Sequence, residues 1–155
     1  MKKILLVEDT PSHMSEGCGF LRSQEVEVVT AMNASEAYAH LGRFRDKKLP
    51  LPDGVITDLY LPHCERAPHN NPELPCGLGV AILAKSLQIP VVICTAGYHH
   101  GGRYEWIFTA LMESKFARLV DPAATPEGFE ARQVDGDHKN WEEAWNVLKA
   151  EMNFL

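Results

Sequence analysis

The sequence predicts an α/β protein with a doubly wound, open five-stranded parallel sheet that carries helices on both faces. Three short runs, at residues 4–7, 55–57 and 91–94, are continuously apolar and rich in β-branched residues. This pattern is typical of strands that are buried on both faces. Segments with helical signals separate the runs, which indicates right-handed βαβ units. The 155 residues, 45% hydrophobic and 23% charged, suit one domain over residues 1–155.

The strands can be assigned in chain order. Each apolar run is too short for a helix and is bounded by polar or turn residues, so strands are expected at 4–7, 55–57 and 91–94. Residues 26–30 are expected to form a further strand with a more exposed edge. Because the strands are parallel, their carboxyl ends meet at one edge, where ligands bind in folds of this class.

Capping signals mark where helices begin between the strands. Thr10 followed by Pro11 resembles an N-cap with proline at the first helical position. Asn33 and Glu36 have the spacing of a capping box. These signals and the apolar spacing predict four helices before the last one, at residues 11–24, 33–47, 77–87 and 103–113.

The last helix has the clearest pattern. Asn140 and Glu143 form another capping box. The apolar residues that follow recur at i, i+3, i+4, i+7 and i+11, as on one face of a helix. We interpret the two tryptophans of this face as core residues, not as a ligand platform. The face comprises Trp141, Ala144, Trp145, Leu148 and Met152.

Composition excludes several classes of function. The formal net charge of −6 argues against a sequence-independent grip on nucleic acid, which requires clustered Lys and Arg. No run approaches the roughly 20 apolar residues of a membrane span, and the four-residue run before Glu8 is too short for an export signal. The four cysteines lack CxxC spacing. We therefore expect reduced thiols, a cytoplasmic location, and neither nucleic acid nor membrane as a partner.

Three carboxylates and a hydroxyl stand directly after the apolar runs. Glu8 and Asp9 follow the first run, Asp58 follows the second and Thr95 follows the third. Three negative charges at one sheet edge repel each other unless a cation lies among them. Oxygen ligands of this kind suit Mg²⁺. The alternative is that these acids only cap helices, as Asp9 could for the first helix.

The segments around these positions resemble the receiver domain of two-component response regulators. They are KILLVEDTP at 3–11, VITDLYLP at 55–62 and VVICTAG at 91–97, and the resemblance covers most of residues 1–122. It implies the flavodoxin-like receiver fold and an atypical, chemotaxis-type single-domain receiver.

The resemblance also implies roles for single residues. Asp58 matches the aspartate that accepts a phosphoryl group from a histidine kinase, a phosphotransfer protein or a small phosphodonor. Glu8 and Asp9 match the acid pair that holds Mg²⁺ together with Asp58, and the main-chain carbonyl of Tyr60 matches a further metal ligand. Thr95 matches the hydroxyl that bonds the phosphoryl oxygen. A carboxylate that attacks phosphorus in line is consistent with this chemistry.

One expected residue is missing from its usual place. The family has a Lys at the end of the fifth strand. A strand at 117–120 puts Asp121 there, and a strand at 131–134 puts Asp135 there. Lys139 could reach back to the site, but it precedes Asn140 where the family has Pro, so the match is poor.

The aromatic residue that belongs to the conformational switch of the family is also replaced. The family has it three positions before the Lys, where this chain has Arg118 in the first register or Arg132 in the second. Arg103, in the glycine-containing segment after Thr95, is another candidate to balance phosphoryl charge. Phosphorylation is expected, but the usual coupling of Thr95 to an output face does not follow.

Two insertions are expected, near 63–76 and 122–138. The second reads as a surface loop. The first contains residues that could form a thiolate–imidazole metal site, although their spacing matches no zinc pattern and polar loops often collect such residues. Both readings stay open for these residues, which are His63, Cys64, His69 and Cys76.

The sequence therefore predicts a stand-alone signalling receiver. It would accept a phosphoryl group on Asp58 with Mg²⁺ and signal by docking to a downstream protein, without enzymatic turnover beyond self-phosphorylation and self-dephosphorylation. The alternative is a pseudo-receiver that binds partners without being phosphorylated. A phosphohydrolase is disfavoured because Asp58 is followed by Leu59 and Tyr60 instead of an Asp-x-Asp pair.

Overall fold

The parallel sheet predicted from the apolar runs is present in the computed structural model, which describes residues 1–42, 50–64, 75–95, 110–111, 118–120 and 139–153. Its five strands pair in parallel in the order β2-β1-β3-β4-β5. The predicted doubly wound α/β fold is confirmed. The strands are β1 (Lys3–Val7), β2 (Glu27–Ala31), β3 (Gly54–Thr57), β4 (Val91–Cys94) and β5 (Arg118–Val120).

The strand order reverses direction between β1 and β3, and this reversal decides where a site can form. At such a switch point the connections leave in opposite directions, which opens a crevice at the carboxyl ends. Val7 pairs with Thr57 as the last residue of each strand. Glu8 and Asp58 are therefore neighbours at this crevice.

Among the described residues, four helices can be bounded, and each contacts the sheet. They are α1 (Pro11–Ser23), α2 (Ala34–His40), α3 (Cys76–Ser86) and α4 (Trp141–Asn153). α1 and α4 contact each other beside the sheet, and α2 and α3 do the same. Within the described ranges, no helix is long and apolar enough to cross a bilayer.

The core has two halves, one on each face of the sheet, because neighbouring strand residues point to opposite faces. Leu5, Val7, Val55 and Ile93 belong to the half beneath α2 and α3. The half beneath α1 and α4 contains alternate residues of the same strands together with the helix face, and its members include Ile4, Leu6, Ile56, Val92, Trp141, Trp145 and Leu148. Burial of both faces of the sheet explains why the apolar runs are continuous.

Both predicted capping boxes are confirmed. The Glu36 N–H donates to Asn33 Oδ1 at 2.9 Å, and the Glu143 N–H donates to Asn140 Oδ1 at 3.0 Å. Thr10 is the N-cap of α1 and has extended backbone, but its side chain makes no capping hydrogen bond. The start of α4 is therefore fixed at Trp141 by a satisfied N-terminus.

The prediction that the second helix runs to residue 47 is wrong. α2 ends at His40, Leu41 is its C-cap, and Gly42 follows with φ of 83°. Glycine adopts this left-handed conformation without a steric penalty and often ends a helix there. The prediction of an end at residue 47 did not take this glycine into account.

The first of the two registers for the fifth strand is confirmed, since Arg118–Val120 pairs with β4. Residues 131–134, the second register, lie outside the described residues, as do Arg132 and Asp135. The helix expected at 103–113 is described only at 110–111, which are helical.

The chain that follows β3 is held at both ends of the first predicted insertion. Leu61 forms a parallel bridge with Pro75. The N–H groups of Ala34 and Ser35, in the first turn of α2, donate to the carbonyl oxygens of Pro62 and His63 at 3.0 and 2.9 Å. The path out of β3 is thus attached to the N-terminus of α2. Residues 65–74 of this insertion and the whole of the second insertion, 122–138, lie outside the described residues.

Candidate functional site

The acidic site predicted from the strand ends assembles at the carboxyl edge of β1 and β3. The Glu8 N–H donates to the Ala31 carbonyl at 3.0 Å, and the Asp58 N–H donates to the Val7 carbonyl at 2.9 Å, so both residues continue the sheet ladder. One carboxylate oxygen from each of Glu8, Asp9 and Asp58 lies within 4.8 Å of the others. The expected convergence of the three carboxylates is confirmed.

Glu8 is fully buried beneath the site. Its Oε1 accepts the Thr10 N–H at 3.0 Å and lies 3.9 Å from His13 Nδ1. Its Oε2 accepts a hydrogen bond from the Lys139 ammonium. Burial raises the pKa of Glu8 and the charge of Asp58 raises it further, although Lys139 opposes both.

Asp58 remains within reach of solvent, because 12% of its side chain is exposed. Its Oδ1 accepts the Leu59 N–H at 2.7 Å. Its Oδ2 lies 3.0 Å from Lys139 Nζ. The carboxylate is therefore oriented by one bond on each oxygen and can still be approached from outside.

Asp9 lies beside these two acids and is partly buried. Burial raises its pKa, and the nearby charge of Asp58 adds to the effect. The alternative that Asp9 caps the first helix is not supported, since Thr10 holds the N-cap position. With a raised pKa, ionisation of this carboxyl is less favourable than that of an ordinary aspartate.

Lys139, which matches the family Lys poorly by sequence, lies in the acidic site. Its side chain is only 1% exposed, and its ammonium contacts both Glu8 and Asp58. Burial by itself lowers the pKa of Lys139, but the carboxylates of Asp58 and Glu8 outweigh burial and raise it overall. The lysine is therefore a charged group inside the acidic site.

Lys139 matches the family Lys poorly by sequence, but its ammonium lies at the acidic site. Asp121 and Asp135, which the two strand registers put at the family position, lie outside the described residues. Lys139 stands nineteen positions after the end of β5, directly before the N-cap of α4. The physical reason is topological. In a wound α/β fold each helix runs back from the carboxyl edge, so the residue before it lies at that edge whatever the length of the connection.

A signal for Lys139 was present in the sequence. The capping box of Asn140 and Glu143 fixes the start of the last helix, and that start marks the carboxyl edge. The signal is missed when the lysine is expected directly after the fifth strand. Arg103, the other candidate cation, lies outside the described residues.

Thr95 and Tyr60 lie in the segments that directly follow β4 and β3. Thr95 follows β4 directly, is 1% exposed and donates its N–H to the Val120 carbonyl at 3.1 Å. The Tyr60 side chain packs against the core half beneath α2 and α3. The Thr95 hydroxyl as a phosphoryl partner and the Tyr60 carbonyl as a metal ligand stay predictions.

The thiolate–imidazole site gains no support among the described residues. There, the group of three ligating side chains found together is the acidic one, and it contains neither histidine nor cysteine. The His63 ring instead lies 6.5 Å from the ring of Tyr38, tilted by 58°. Burial raises the pKa of Cys76, which disfavours its thiolate. His69 lies outside the described residues.

Replacing Asp9 with asparagine is expected to stabilise the metal-free protein. The change removes one of three like charges within 4.8 Å, a repulsion of about 1–3 kcal/mol at the effective dielectric of a partly exposed site. Urea unfolding in the presence of a chelator measures the gain. Asp53→Asn, at the opposite edge of the sheet, is the matched control. Equal or lower stability of Asp9→Asn would contradict the repulsion argument.

Comparison with known proteins points to one class. No protein-family model matches the sequence. No curated protein matches it either. Among solved structures, the bacteriophytochrome response regulator AtBRR is 26% identical over 87% of this chain and 91% of its own, with a TM-score of 0.54.

Two further structures extend the likeness. The response regulator TrrA from Thermotoga maritima, solved in complex with Mg²⁺ and BeF, is 25% identical over 77% of this chain and 84% of its own, with a TM-score of 0.50. The signal receiver domain of an HD domain-containing protein from Pseudomonas fluorescens Pf-5 is 16% identical over 99% and 95%, with a TM-score of 0.60, and shows the fold alone.

The fold of this chain is similar to that of response regulator receiver domains. The structural neighbours of this chain are response regulator receiver domains, which are signalling domains of two-component systems. The resemblance inferred from the sequence is confirmed, and it supports a response regulator receiver role for this chain.

Proposed function

We propose that this chain is a receiver that accepts a phosphoryl group on Asp58 in a Mg²⁺-dependent reaction and signals by docking to a downstream protein. The observation that carries the proposal is the surroundings of Asp58. Its carboxylate lies at the switch point, within 4.8 Å of two more carboxylates and 3.0 Å from a buried ammonium. The site thus combines the groups that the proposed reaction needs. Asp58 would be the nucleophile, Glu8 and Asp9 would bind the metal, and Lys139 would contact the phosphoryl oxygens.

The donor set of the site fits Mg²⁺. All three side-chain ligands are carboxylate oxygens, which this ion prefers, and two of them have raised pKa values in the absence of metal. Glu8, Asp9 and Asp58 would hold the ion, together with the main-chain carbonyl of Tyr60. Bound Mg²⁺ would supply positive charge to phosphoryl oxygens during transfer. The complex of TrrA with Mg²⁺ and BeF is consistent with this assignment.

The residues of the chain then have distinct tasks. A carboxylate oxygen of Asp58 forms the new bond to phosphorus as the bond to the donor breaks, and the donor leaves with the bonding electron pair. Lys139 balances the charge that builds on the phosphoryl oxygens. The hydroxyl of Thr95 would donate a hydrogen bond to the transferred group.

A pseudo-receiver that is not phosphorylated is the second candidate, and Lys139 is also the observation that favours it. Its ammonium already neutralises part of the acidic site, contacting both Glu8 and Asp58. Such a site can fold without metal and without a phosphoryl group. In that case the chain would bind its partner in a single state.

Intact-mass measurement after incubation with acetyl phosphate tests the proposal. The expected result is one phosphoryl adduct that requires Mg²⁺ and is absent from Asp58→Asn. The matched control is Asp53→Asn, since Asp53 lies next to the start of β3, on the edge opposite Asp58, and bonds the Lys3 N–H. Beryllofluoride binding detects a competent site even where the phosphoryl adduct hydrolyses too quickly to be observed. If neither an adduct nor beryllofluoride binding is found, the proposal is contradicted and the pseudo-receiver is favoured.

Stabilisation by Mg²⁺ is expected to increase as pH rises. Glu8 and Asp9 have pKa values raised above their ordinary 4.5 and 3.8. A carboxyl with a raised pKa in the folded state contributes stability below its unfolded value and loses it as pH rises through the folded value. The metal-free protein therefore weakens above those values while Mg²⁺ offsets the loss. Lys139, with a pKa raised above 10.5, stays charged throughout.

Thermal unfolding with and without Mg²⁺ across a pH series measures this effect. The difference in Tm should vanish at the acid end and grow toward neutral pH. In Asp9→Asn the growth should be reduced, because only one of the two carboxyls with a raised pKa remains. A Tm difference that is constant across the series would be incompatible with carboxylate ligation.

As a receiver, the chain would take its phosphoryl group from a histidine kinase or a phosphotransfer protein in the cytoplasm. Its output would be a protein contact, without nucleic acid or membrane. Enzymatic activity would be limited to its own phosphorylation and dephosphorylation.

A further inference from the structure

The side chain of Trp141 lies next to the cation of the site. Trp141 is the first residue of α4, two positions after Lys139, and is 8% exposed. Lys139 Nζ lies over its ring, 5.7 Å from the centroid. This distance is within the roughly 6 Å at which an ammonium is attracted to the face of an indole. Both groups are largely dehydrated, which strengthens the attraction.

The ring itself is held by packing. It belongs to the core half beneath α1 and α4. Its Cη2 and Cζ2 atoms lie 3.1 Å from the point where a Cβ of Gly17 would stand, so glycine in α1 lets the ring approach closely. The indole N–H is buried and has no hydrogen-bond partner among the described residues. The ring is therefore located by its shape and not by a polar contact.

Lys139 needs such a support because of where it stands. It stands nineteen positions after the end of β5. The capped start of α4 at Asn140 fixes the backbone on its C-terminal side. A lysine side chain has four rotatable bonds, so several contacts are needed to hold its ammonium in one place. The face of Trp141 supplies one of these contacts, and the carboxylates of Glu8 and Asp58 supply the others.

We propose that Trp141 is a positioning residue for phosphoryl transfer: its ring face holds the Lys139 ammonium beside Asp58, where the phosphoryl oxygens arrive. This role rests on the proposed function. It gives an aromatic side chain on α4 the task of orienting the lysine, although position 118, where the receiver family has its aromatic residue, is an arginine.

Three variants test the role. Trp141→Leu removes the ring face, and Trp141→Phe keeps a ring. Trp145→Leu is the matched control, because Trp145 is also buried on α4, one helical turn further on, and has Lys149 instead of Lys139 over its ring, at 5.4 Å. The first readout is the initial rate of Mg²⁺-dependent phosphorylation by acetyl phosphate. The second is the position of the Lys139 Hε signals in an NMR spectrum of protein labelled at lysine.

The expected result separates positioning from folding. Trp141→Leu should slow phosphorylation about 3- to 30-fold, as expected for loss of a buried cation–π contact. Trp141→Phe should retain most of the rate. Trp145→Leu should lose stability to a similar extent while keeping the wild-type rate. The ring-current shift of Lys139 should disappear in Trp141→Leu and persist in Trp145→Leu.

Two outcomes would overturn the role while leaving the proposed function intact. One is a wild-type rate in Trp141→Leu. The other is an equal slowing in Trp141→Leu, Trp141→Phe and Trp145→Leu, which would assign the effect to stability. A wild-type protein that takes up no phosphoryl group overturns the proposed function itself, and is recognised before any variant is compared.

Discussion

Replacing Lys139 with methionine is expected to slow phosphorylation of Asp58 by about 100-fold, the usual effect of removing one group that stabilises developing charge. Methionine keeps much of the length and apolar stem of the side chain but removes the ammonium 3.0 Å from Asp58 Oδ2. Intact-mass time courses with acetyl phosphate at saturating Mg²⁺ measure the rate.

Two controls make this result specific to the site. Lys149→Met removes a lysine of α4 that lies over Trp145, and should leave the rate unchanged. Urea unfolding should show that Lys139→Met destabilises the metal-free protein by about 3–5 kcal/mol, because Glu8 is left buried without its cation. A rate within threefold of the wild type would show that Lys139 is not the charge-balancing group, and Arg103 would then be the next residue to test.

Replacing Gly77 with alanine is expected to destabilise the protein by more than about 3 kcal/mol. A Cβ at this position would lie 1.8 Å from the carbonyl oxygen of Asp58, and backbone cannot yield as a flexible side chain can. The Gly77 N–H also donates to the Leu59 carbonyl at 3.0 Å, so α3 and the end of β3 are fastened together here. Urea unfolding gives the free energy of unfolding.

The matched control is Gly19→Ala. A Cβ at Gly19, in the interior of α1, would meet nothing within 4 Å. Alanine there should stabilise the helix by about 0.5–1 kcal/mol. If Gly77→Ala were as stable as the wild type, α3 would have to begin away from Asp58. If the variant folds, its phosphorylation rate should also fall, since any accommodation displaces the backbone of Asp58.

The strands and the acidic edge could be predicted because both depend on local pattern. Continuous apolarity at 4–7 and 55–57 marks strands that are dry on both faces, and the residue after each strand lies at the edge by topology. The convergence of Glu8 with Asp58 then follows from pairing of Val7 with Thr57. No knowledge of the connections is needed for this step.

Lys139 could not be found in the same way, because its place depends on a connection of variable length and not on the strand before it. The end of α2 was missed for a different reason. Apolar and charged residues continue in helical spacing beyond His40, and the left-handed Gly42 alone ends the helix. Thr95 and Tyr60 were placed at the right edge, but their roles depend on atoms that only a bound phosphoryl group or metal would reveal.

The count of charges at the site has a consequence for which cation it accepts. Three carboxylates and the Lys139 ammonium leave two negative charges when all four groups are ionised. One divalent ion brings the site to neutrality, whereas a monovalent ion leaves it anionic and a trivalent ion leaves it cationic. Electroneutrality in a partly buried pocket thus favours the divalent class over the other two. Removing Lys139 shifts the balance by one charge, so the same protein would then tolerate a more highly charged metal.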